Sequence, residues 1–218
     1  MTRVEAVVFD LDGTLVDTLD DIVAALDHVL LAHRLPTHSR DEVRFLIGGG
    51  ASALVRGSLP ASEQVRTDVY LAEFRQRYAS HLVDHSRPYP GIIPLLHDLA
   101  ERRVPVAVLS NKPDDLTRQV VEQLLGALTF RAVRGQRDGV PRKPDPTAAL
   151  ALAEAMDIPP HRCAFVGDSG VDMDTARAAG MLPVGVLWGF RGRDELLEHG
   201  AGVLLDRPAD LMPVLEAP

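Results

Sequence analysis

The sequence predicts an α/β fold: a parallel sheet covered on both faces by helices and interrupted after its first strand by an all-helical segment. Three observations carry this. From about residue 87 onward, short apolar runs alternate with amphipathic stretches of helical length, and strands that alternate with such helices pair in parallel. One further apolar run, Val7 to Phe9, stands alone near the N-terminus. Between the two regions only helical periodicity is found, with no convincing strand.

The first strand is read as VVFDLDGTLVD, Val7 to Asp17, and ends on two aspartates one residue apart. Asp17 or Thr18 then caps a helix in which Ile22, Leu26, Val29 and Leu30 recur at helical spacing up to Pro36. RDEVRFLI and the long EQVRTDVYLAEFRQRYASHLV continue the helical pattern until RPYPG breaks it. Beyond the break, Ile92 to Arg103 reads as a helix, VPVAVLS as a strand, and Asp114 to Leu125 as a helix closed by Gly126. Thr129 to Val133 is expected to be a strand, Pro146 to Met156 a helix, Cys163 to Val166 a strand, and Val171 to Ala179 a helix closed by Gly180. LPVGVLW is a strand, and Asp194 to His199, Val203 to Leu205 and Ala209 to Leu215 complete the chain. The expected domains are 1–17 with 87–218, which carry the sheet, and 18–86, the helical insertion.

The 218 residues are 46% hydrophobic, enough to bury a sizeable core. A net charge of -8, without interleaved basic and aromatic residues, argues against nucleic acid and acidic membrane surfaces as partners. No apolar segment is long enough to span a bilayer and none near the start reads as a signal peptide, so a cytoplasmic chain is expected. Monomer and homodimer both stay open. The lone Cys163, in the apolar run HRCAFV, excludes an intrachain disulfide and reads as an inert buried thiol. His81 and His85, on one helical face with Asp84 nearby, lack a third ligand at zinc-like spacing and read as a solvated helix end.

Open parallel sheets bind ligands at the carboxyl ends of their strands. The polar residues expected there are Asp10 with Asp12, Ser110 with Asn111, and Asp168 with Ser169, joined by Lys143 from the loop before the helix that leads into the Asp168 strand. Converging carboxylates repel one another and are costly to desolvate, so a metal ion is the simplest way to hold them together. Oxygen ligands without a Cys/His cluster suit Mg²⁺. An aspartate in such a place can also act as a nucleophile. On a regular strand Asp12 would face away from Asp10, but Gly13 permits a turn that re-aims it as a separate acid and base. Taken singly, Asp-Gly reads as a hairpin turn and Ser110-Asn111 and Asp168 as helix caps; the whole set on one rim points to chemistry. The basic residues sharpen this, because 21 are arginines and only Lys112 and Lys143 are lysines. A compact ammonium and a planar guanidinium are not interchangeable in a packed phosphate site.

DLDGTLVD, LSNK, RKPDP and FVGDSGVD, in that order, resemble the four signature motifs of the haloacid dehalogenase superfamily of phosphatases. The resemblance implies a Rossmann-like core with a helical cap inserted after the first strand. It further implies that Asp10 is nucleophile and magnesium ligand, and that Asp12 is the general acid and base, reaching the metal through its backbone carbonyl. Ser110, with Thr14 and backbone amides near Asn111 and Gly13, would hold the phosphoryl oxygens. Lys143 would offset charge on nucleophile and phosphoryl group, Asp168 would ligate magnesium, and Asp172 would support the metal shell. Dehalogenases of the superfamily lack the second aspartate, so Asp12 implies phosphoryl transfer.

IGGGASALV, residues 47–55, together with YPGIIPLLHDLA, the lysine of SNKP and the tail VGVLWGFRGRDEL, resembles phosphoglycolate phosphatases. Gly48, Gly49 and Gly50 would let backbone amides approach a small carboxylated substrate, with Arg44 and Arg56 flanking them and Lys112 as a further specificity residue. The implied activity is Mg²⁺-dependent hydrolysis of a small phosphorylated metabolite, 2-phosphoglycolate foremost. Pyrophosphate, a nucleotide, a sugar phosphate, a β-phosphoglucomutase-like transfer and a receiver-like binding module stay open. No G-x-G-x-x-G follows a strand, so dinucleotide binding is not expected.

Overall fold

The computed structural model describes residues 3–126, 128 and 130–216, in two compact units: Met1–Val16 with Pro88–Pro218, and Asp17–Arg87. The chain runs through β1 (Ala6–Phe9), β2 (Val16–Asp17), α1 (Leu19–Ala32), α2 (Arg40–Leu46), α3 (Ala51–Ser58) and α4 (Thr67–Ser80). There follow β3 (Arg87–Pro88), α5 (Ile92–Glu101), β4 (Val106–Pro113), α6 (Asp114–Leu125), β5 (Ala132–Gln136) and α7 (Thr147–Ala155). The last elements are β6 (Cys163–Gly167), α8 (Gly170–Ala178), β7 (Leu182–Val186), α9 (Arg193–Glu198), β8 (Val203–Leu205) and α10 (Leu211–Glu216).

In the first unit the described strands form a six-stranded sheet in the order β5-β4-β1-β6-β7-β8, every neighbouring pair parallel. β1 sits inside it, and its four side chains are all buried, which is why its sequence is an unbroken apolar run. Ala6 and Val8 belong to a core cluster with Ala107 and Leu109 of β4, Cys163 and Phe165 of β6, Ala149 and Leu152 of α7, and Ala176 of α8. Val7 and Phe9 point to the other face and are equally buried. The α/β prediction holds, and β1, β4 and β6 bring the ends of the expected motif strands side by side.

Several strand and helix boundaries differ from expectation. The strand expected at Thr129 to Val133 lies at Ala132–Gln136; Thr129 itself falls outside the described residues. β5 is an edge strand with every position only half-buried, so it carries no apolar signature. β4 continues past Ser110 to Pro113, with a register shift between Leu109 and Pro113. The expected strand LPVGVLW ends at Val186. Of the stretch 47–55 only Ile47 to Gly50 lie between helices, because α2 ends at Leu46 and α3 begins at Ala51.

The second unit is helical apart from its end residues in β2 and β3. α1 packs on α2 and α4, and α3 packs on α2 and α4. Ile22, Leu26, Val29 and Leu30 of α1 and Tyr70, Leu71, Phe74 and Tyr78 of α4 are buried, the i, i+3, i+4 stripe that the periodicity predicted. Ser39 opens α2 with a capping box, its side chain and that of Glu42 exchanging bonds with each other's backbone amides. His85 is not on a helix, since α4 ends at Ser80. It bonds instead to the buried Asp21.

Candidate active site

β1 delivers Asp10 one residue beyond its last paired position, where the Asp10 amide still donates to Val166 O at 2.9 Å. The chain then folds back on itself. The amides of Leu15 and Val16 both donate to Leu11 O at 3.0 Å, and Gly13 N–H donates to Val16 O at 2.9 Å. Gly13 has φ +86°, and a Cβ there would lie 2.2 Å from Asp168 Oδ2. Only glycine meets both conditions. The turn therefore lets the chain of Asp10 and Asp12 approach Asp168 closely.

β6 ends at Gly167 and presents Asp168 beside Asp10. Asp168 Oδ2 accepts from the Phe190 amide at 2.6 Å. Asp172 lies in the first turn of α8, where it completes a capping box with Ser169: its Oδ2 accepts from Ser169 N at 3.1 Å and from Ser169 Oγ at 2.6 Å. Gly167 makes room for this carboxylate, since a Cβ there would come within 2.3 Å of Asp172 Cβ.

Lys143 arrives from a loop rather than a regular element, and Asn111 holds that loop in place. Asn111 Nδ2 donates to Lys143 O at 3.1 Å, and Lys143 N–H donates to Asn111 Oδ1 at 2.9 Å. The Lys143 ammonium then donates to Asp10 Oδ1 at 2.7 Å and to Asp172 Oδ1 at 2.6 Å. Its Nζ also lies 5.6 Å from the centroid of the Phe165 ring.

Asp10, Asp168 and Asp172 are all buried, and each offers an oxygen within 4.8 Å of the others. The Lys143 ammonium bonds to Asp10 and Asp172, and the Arg191 guanidinium also acts against the charge on Asp168. Burial pushes the Asp10 carboxyl up to about 7; Lys143 opposes that rise and Asp172 adds to it. Burial, then Asp172 and Asp10, push Asp168 well above the ordinary carboxylate range. For Lys143, burial works against the charge, but Asp10 and Asp172 outweigh it and raise the ammonium above its usual value. Carboxylates held in this under-compensated state fit a hard, oxygen-seeking cation, which would relieve all three at once.

Asp12 stands apart from that cluster. Its Oδ1 accepts from the buried Lys112 ammonium at 2.5 Å. Ser110 is buried, and its Oγ accepts from Lys112 N–H at 3.2 Å. Thr14 is fully buried, its Oγ1 has no hydrogen-bond partner among the described residues, and its carbonyl accepts from Trp188 Nε1 at 3.0 Å. The expected rim residues Asp10, Asp12, Gly13, Thr14, Ser110, Asn111, Lys112, Lys143, Asp168 and Asp172 thus all lie in the sheet-bearing unit. Arg44, Gly48, Gly49, Gly50 and Arg56 lie in the helical unit. There Gly48 and Gly50 have φ of +119° and +84°, and Arg44 stacks over the Phe45 ring at 5.1 Å.

Three residues had no role in the sequence reading. Gly189 and Phe190 close over Asp168: a Cβ on Gly189 would lie 2.3 Å from Asp168 Cβ and 2.4 Å from Gly13 O. The available signal was the Gly-Phe pair after a strand, in the stretch WGFRG. Ser169, noted only as a neighbour of Asp168, orients Asp172.

Residues 7–186 match the family model described as haloacid dehalogenase-like hydrolase. The chain is 33% identical to the N-acetylmuramic acid 6-phosphate phosphatase of Pseudomonas aeruginosa over 98% of its own length and 96% of that protein. It is 34% identical to phosphoglycolate phosphatase 1 of the same organism, covering 95% of this chain and 78% of the relative. A crystal structure from Lactobacillus delbrueckii subsp. bulgaricus, provisionally assigned as a phosphoglycolate phosphatase, superposes with a TM-score of 0.92 at 28% identity, covering 98% of this chain and 99% of that one. The chain therefore belongs to the haloacid dehalogenase-like hydrolases and is a phosphatase among them.

Proposed function

We propose that the chain is a Mg²⁺-dependent phosphomonoester hydrolase that works through an aspartyl-phosphate on Asp10 and acts foremost on 2-phosphoglycolate. The observation that carries the chemical part is the separation of the two aspartates of the first motif. Asp10 sits in the carboxylate cluster on Lys143, while Asp12 is held outside it on Lys112. One is placed to attack and the other to move a proton.

Asp10 attacks phosphorus in line, the bond from phosphorus to the leaving oxygen breaks, and Asp12 gives that oxygen its proton. Asp12 then takes a proton from water, whose oxygen attacks phosphorus and releases inorganic phosphate and the Asp10 carboxylate. Lys143 keeps Asp10 aimed and offsets charge on the transferred group. Ser110, Thr14 and the amides near Gly13 and Asn111 hold the phosphoryl oxygens. Asp172, whose oxygens are engaged by Ser169 and Lys143, supports from behind. Asp10, Asp168 and the Asp12 carbonyl would hold Mg²⁺, which when bound supplies positive charge to the phosphoryl oxygens.

In this reading the sheet-bearing unit is the catalytic core and Asp17–Arg87 the cap. Gly48 to Gly50, with Arg44 and Arg56, are the substrate-specificity candidates of the helical unit. The partner is a small phosphorylated metabolite, the setting the cytoplasm and the assembly a monomer or homodimer. Among the described residues, no helix is long and apolar enough to cross a membrane.

Support for the substrate comes from the phosphoglycolate phosphatases among the relatives. The full-length likeness to the N-acetylmuramic acid 6-phosphate enzyme favours that sugar phosphate as a second reading. The test is phosphate release, with and without Mg²⁺, from both compounds beside pyrophosphate, a nucleoside monophosphate, β-glucose 1-phosphate and p-nitrophenyl phosphate, compared by kcat/KM. The expected result is a preference for 2-phosphoglycolate that disappears with chelation. Preference for the sugar 6-phosphate would transfer the assignment, and activity only on the aromatic ester would remove both.

A further inference from the structure

Asp168 and Asp172 flank Gly170, the first residue of α8. The amides that open a helix have no acceptor within it. That of Gly170 donates to Glu195 Oε1 at 3.0 Å, so α9 reaches into the loop that carries two of the clustered carboxylates. The second oxygen of Glu195 lies 3.3 Å from Arg191 Nε, and the Arg191 side chain is only 10% exposed.

These contacts close a ring. Asp168 Oδ2 accepts from the Phe190 amide at 2.6 Å, Phe190 is followed by Arg191, Arg191 meets Glu195, and Glu195 holds Gly170, two residues from Asp168. Neighbouring contacts fix the ring on both sides. Trp188 Nε1 donates to Thr14 O at 3.0 Å, which ties the segment 188–191 to the turn after β1. His199, paired through Nδ1 with Asp174 Oδ2 at 2.8 Å, lies against Gly170, where a Cβ would come within 2.5 Å of its ring. Glu195 stands in the first turn of α9, a place that the helix dipole alone favours for an acid. The dipole does not explain why its two oxygens go to two other segments.

We infer that Glu195 is a positioning residue for the cation: by joining Gly170 to Arg191 it fixes Asp168 against the start of α8 in the orientation that the ion requires. The inference rests on the Mg²⁺ reading above and adds to it a residue that touches neither ion nor substrate. Mg²⁺ tolerates little departure from octahedral geometry at about 2.1 Å, so the carboxylates that receive it must be set before it arrives. Asp168 follows β6, Asp172 lies on α8, and the Phe190 amide that orients Asp168 follows β7. Glu195 is the side chain that ties the last of these segments to the other two. Groups that orient metal ligands from outside typically contribute about 10- to 100-fold in affinity.

The test is calorimetric titration of Mg²⁺ into substrate-free wild type, Glu195→Ala, Glu195→Gln and Glu198→Ala, with the melting temperature of each metal-free protein measured alongside. Glu198 is an exposed acid on the same helix, and its variant controls for the loss of one negative charge. The expected result is a Kd for Mg²⁺ that rises by about 10-fold or more in Glu195→Ala. It rises less in Glu195→Gln, which keeps an oxygen for the Gly170 amide, and stays within about twofold of wild type in Glu198→Ala. Should the alanine variant not fold, the glutamine variant, which keeps the shape and loses the charge facing Arg191, carries the same comparison. A lower melting temperature with unchanged Mg²⁺ affinity in the Glu195 variants would show a merely structural role and overturn the inference alone, as would an equal loss of affinity in Glu198→Ala. A wild type that takes up no Mg²⁺ overturns the cation reading and the inference with it.

Discussion

Asp21 and Asp10 are both buried aspartates at positions where an ordinary soluble chain avoids charge, and the protein treats them in opposite ways. Around Asp21, in the helical unit, the donors are complete: His85 N–H at 2.9 Å, His85 Nδ1 at 2.9 Å, Ser86 N–H at 2.7 Å and Ser86 Oγ at 2.6 Å. Burial acts to raise its carboxyl, but the bonds from Ser86 and His85 outweigh it and hold it below the usual range. Around Asp10, in the sheet-bearing unit, burial and two further carboxylates meet the Lys143 ammonium, and the carboxyl rises to about 7. A carboxylate that ties a fold together is saturated by donors from its own surroundings. The Asp10 cluster is left short of positive charge, as a site that awaits a cation and a phosphoryl group must be.

The largest effect should come from Asp10→Asn, which removes the nucleophile and lowers kcat by at least ~10⁴-fold. Asp21→Asn, measured beside it, should leave kcat/KM within about threefold. Equal losses in the two variants would erase the distinction between them. Lys143→Met strips the ammonium bonded to Asp10 and Asp172 and should lower the stability of metal-free protein by about 3–5 kcal/mol in urea unfolding. Added Mg²⁺ should restore part of that loss.

Two further variants should move stability in opposite directions. Asp21→Ala leaves the donors of His85 and Ser86 without their acceptor and should cost about 2–4 kcal/mol. Asp168→Asn keeps an acceptor for the Phe190 amide while relieving buried negative charge. It should stabilise metal-free protein by about 1 kcal/mol, roughly 2–4 °C in Tm, and abolish the Tm rise that Mg²⁺ gives the wild type. A destabilised Asp168→Asn protein with an intact Mg²⁺ response would show that the cluster is not the cation site.

A further effect is in pH dependence. Asp10 has a raised folded value, so the folded chain binds the proton more tightly than the unfolded one. That contribution is present below the unfolded value of about 4 and is lost as pH rises toward about 7. Asp21 has a lowered value, so its contribution is present above about 4 and lost as pH falls through its folded value. Metal-free protein should therefore lose stability from about pH 4 to pH 7, and saturating Mg²⁺ should remove that slope.

What the sequence disclosed follows the same division. β1, β4 and β6 are buried on both faces and read directly as apolar runs; Asp10 and Asp168 stood at their ends, Lys143 in a loop, and Asp172 in the first turn of the helix after β6. β5 was misplaced because an edge strand needs no apolar signature. The Lys112–Asp12 pair joins residues 100 positions apart and exists only because β4 pairs with β1. Spacing along the chain cannot signal it. The same holds for Phe190 on Asp168 and for His85 on Asp21, where the pattern of histidines suggested a solvated helix end: His85 does stay exposed, but off the helix, with its amide and ring bonded to the buried Asp21.

The central claim is that Asp10 itself carries the phosphoryl group. Rapid acid quenching during turnover of 2-phosphoglycolate with excess enzyme, followed by peptide mass mapping, tests it directly. The account predicts phosphate on Asp10 that forms and decays no more slowly than phosphate is released, and that is absent in Asp10→Asn. Phosphate release without any modified Asp10, or with normal turnover in the asparagine variant, would contradict it.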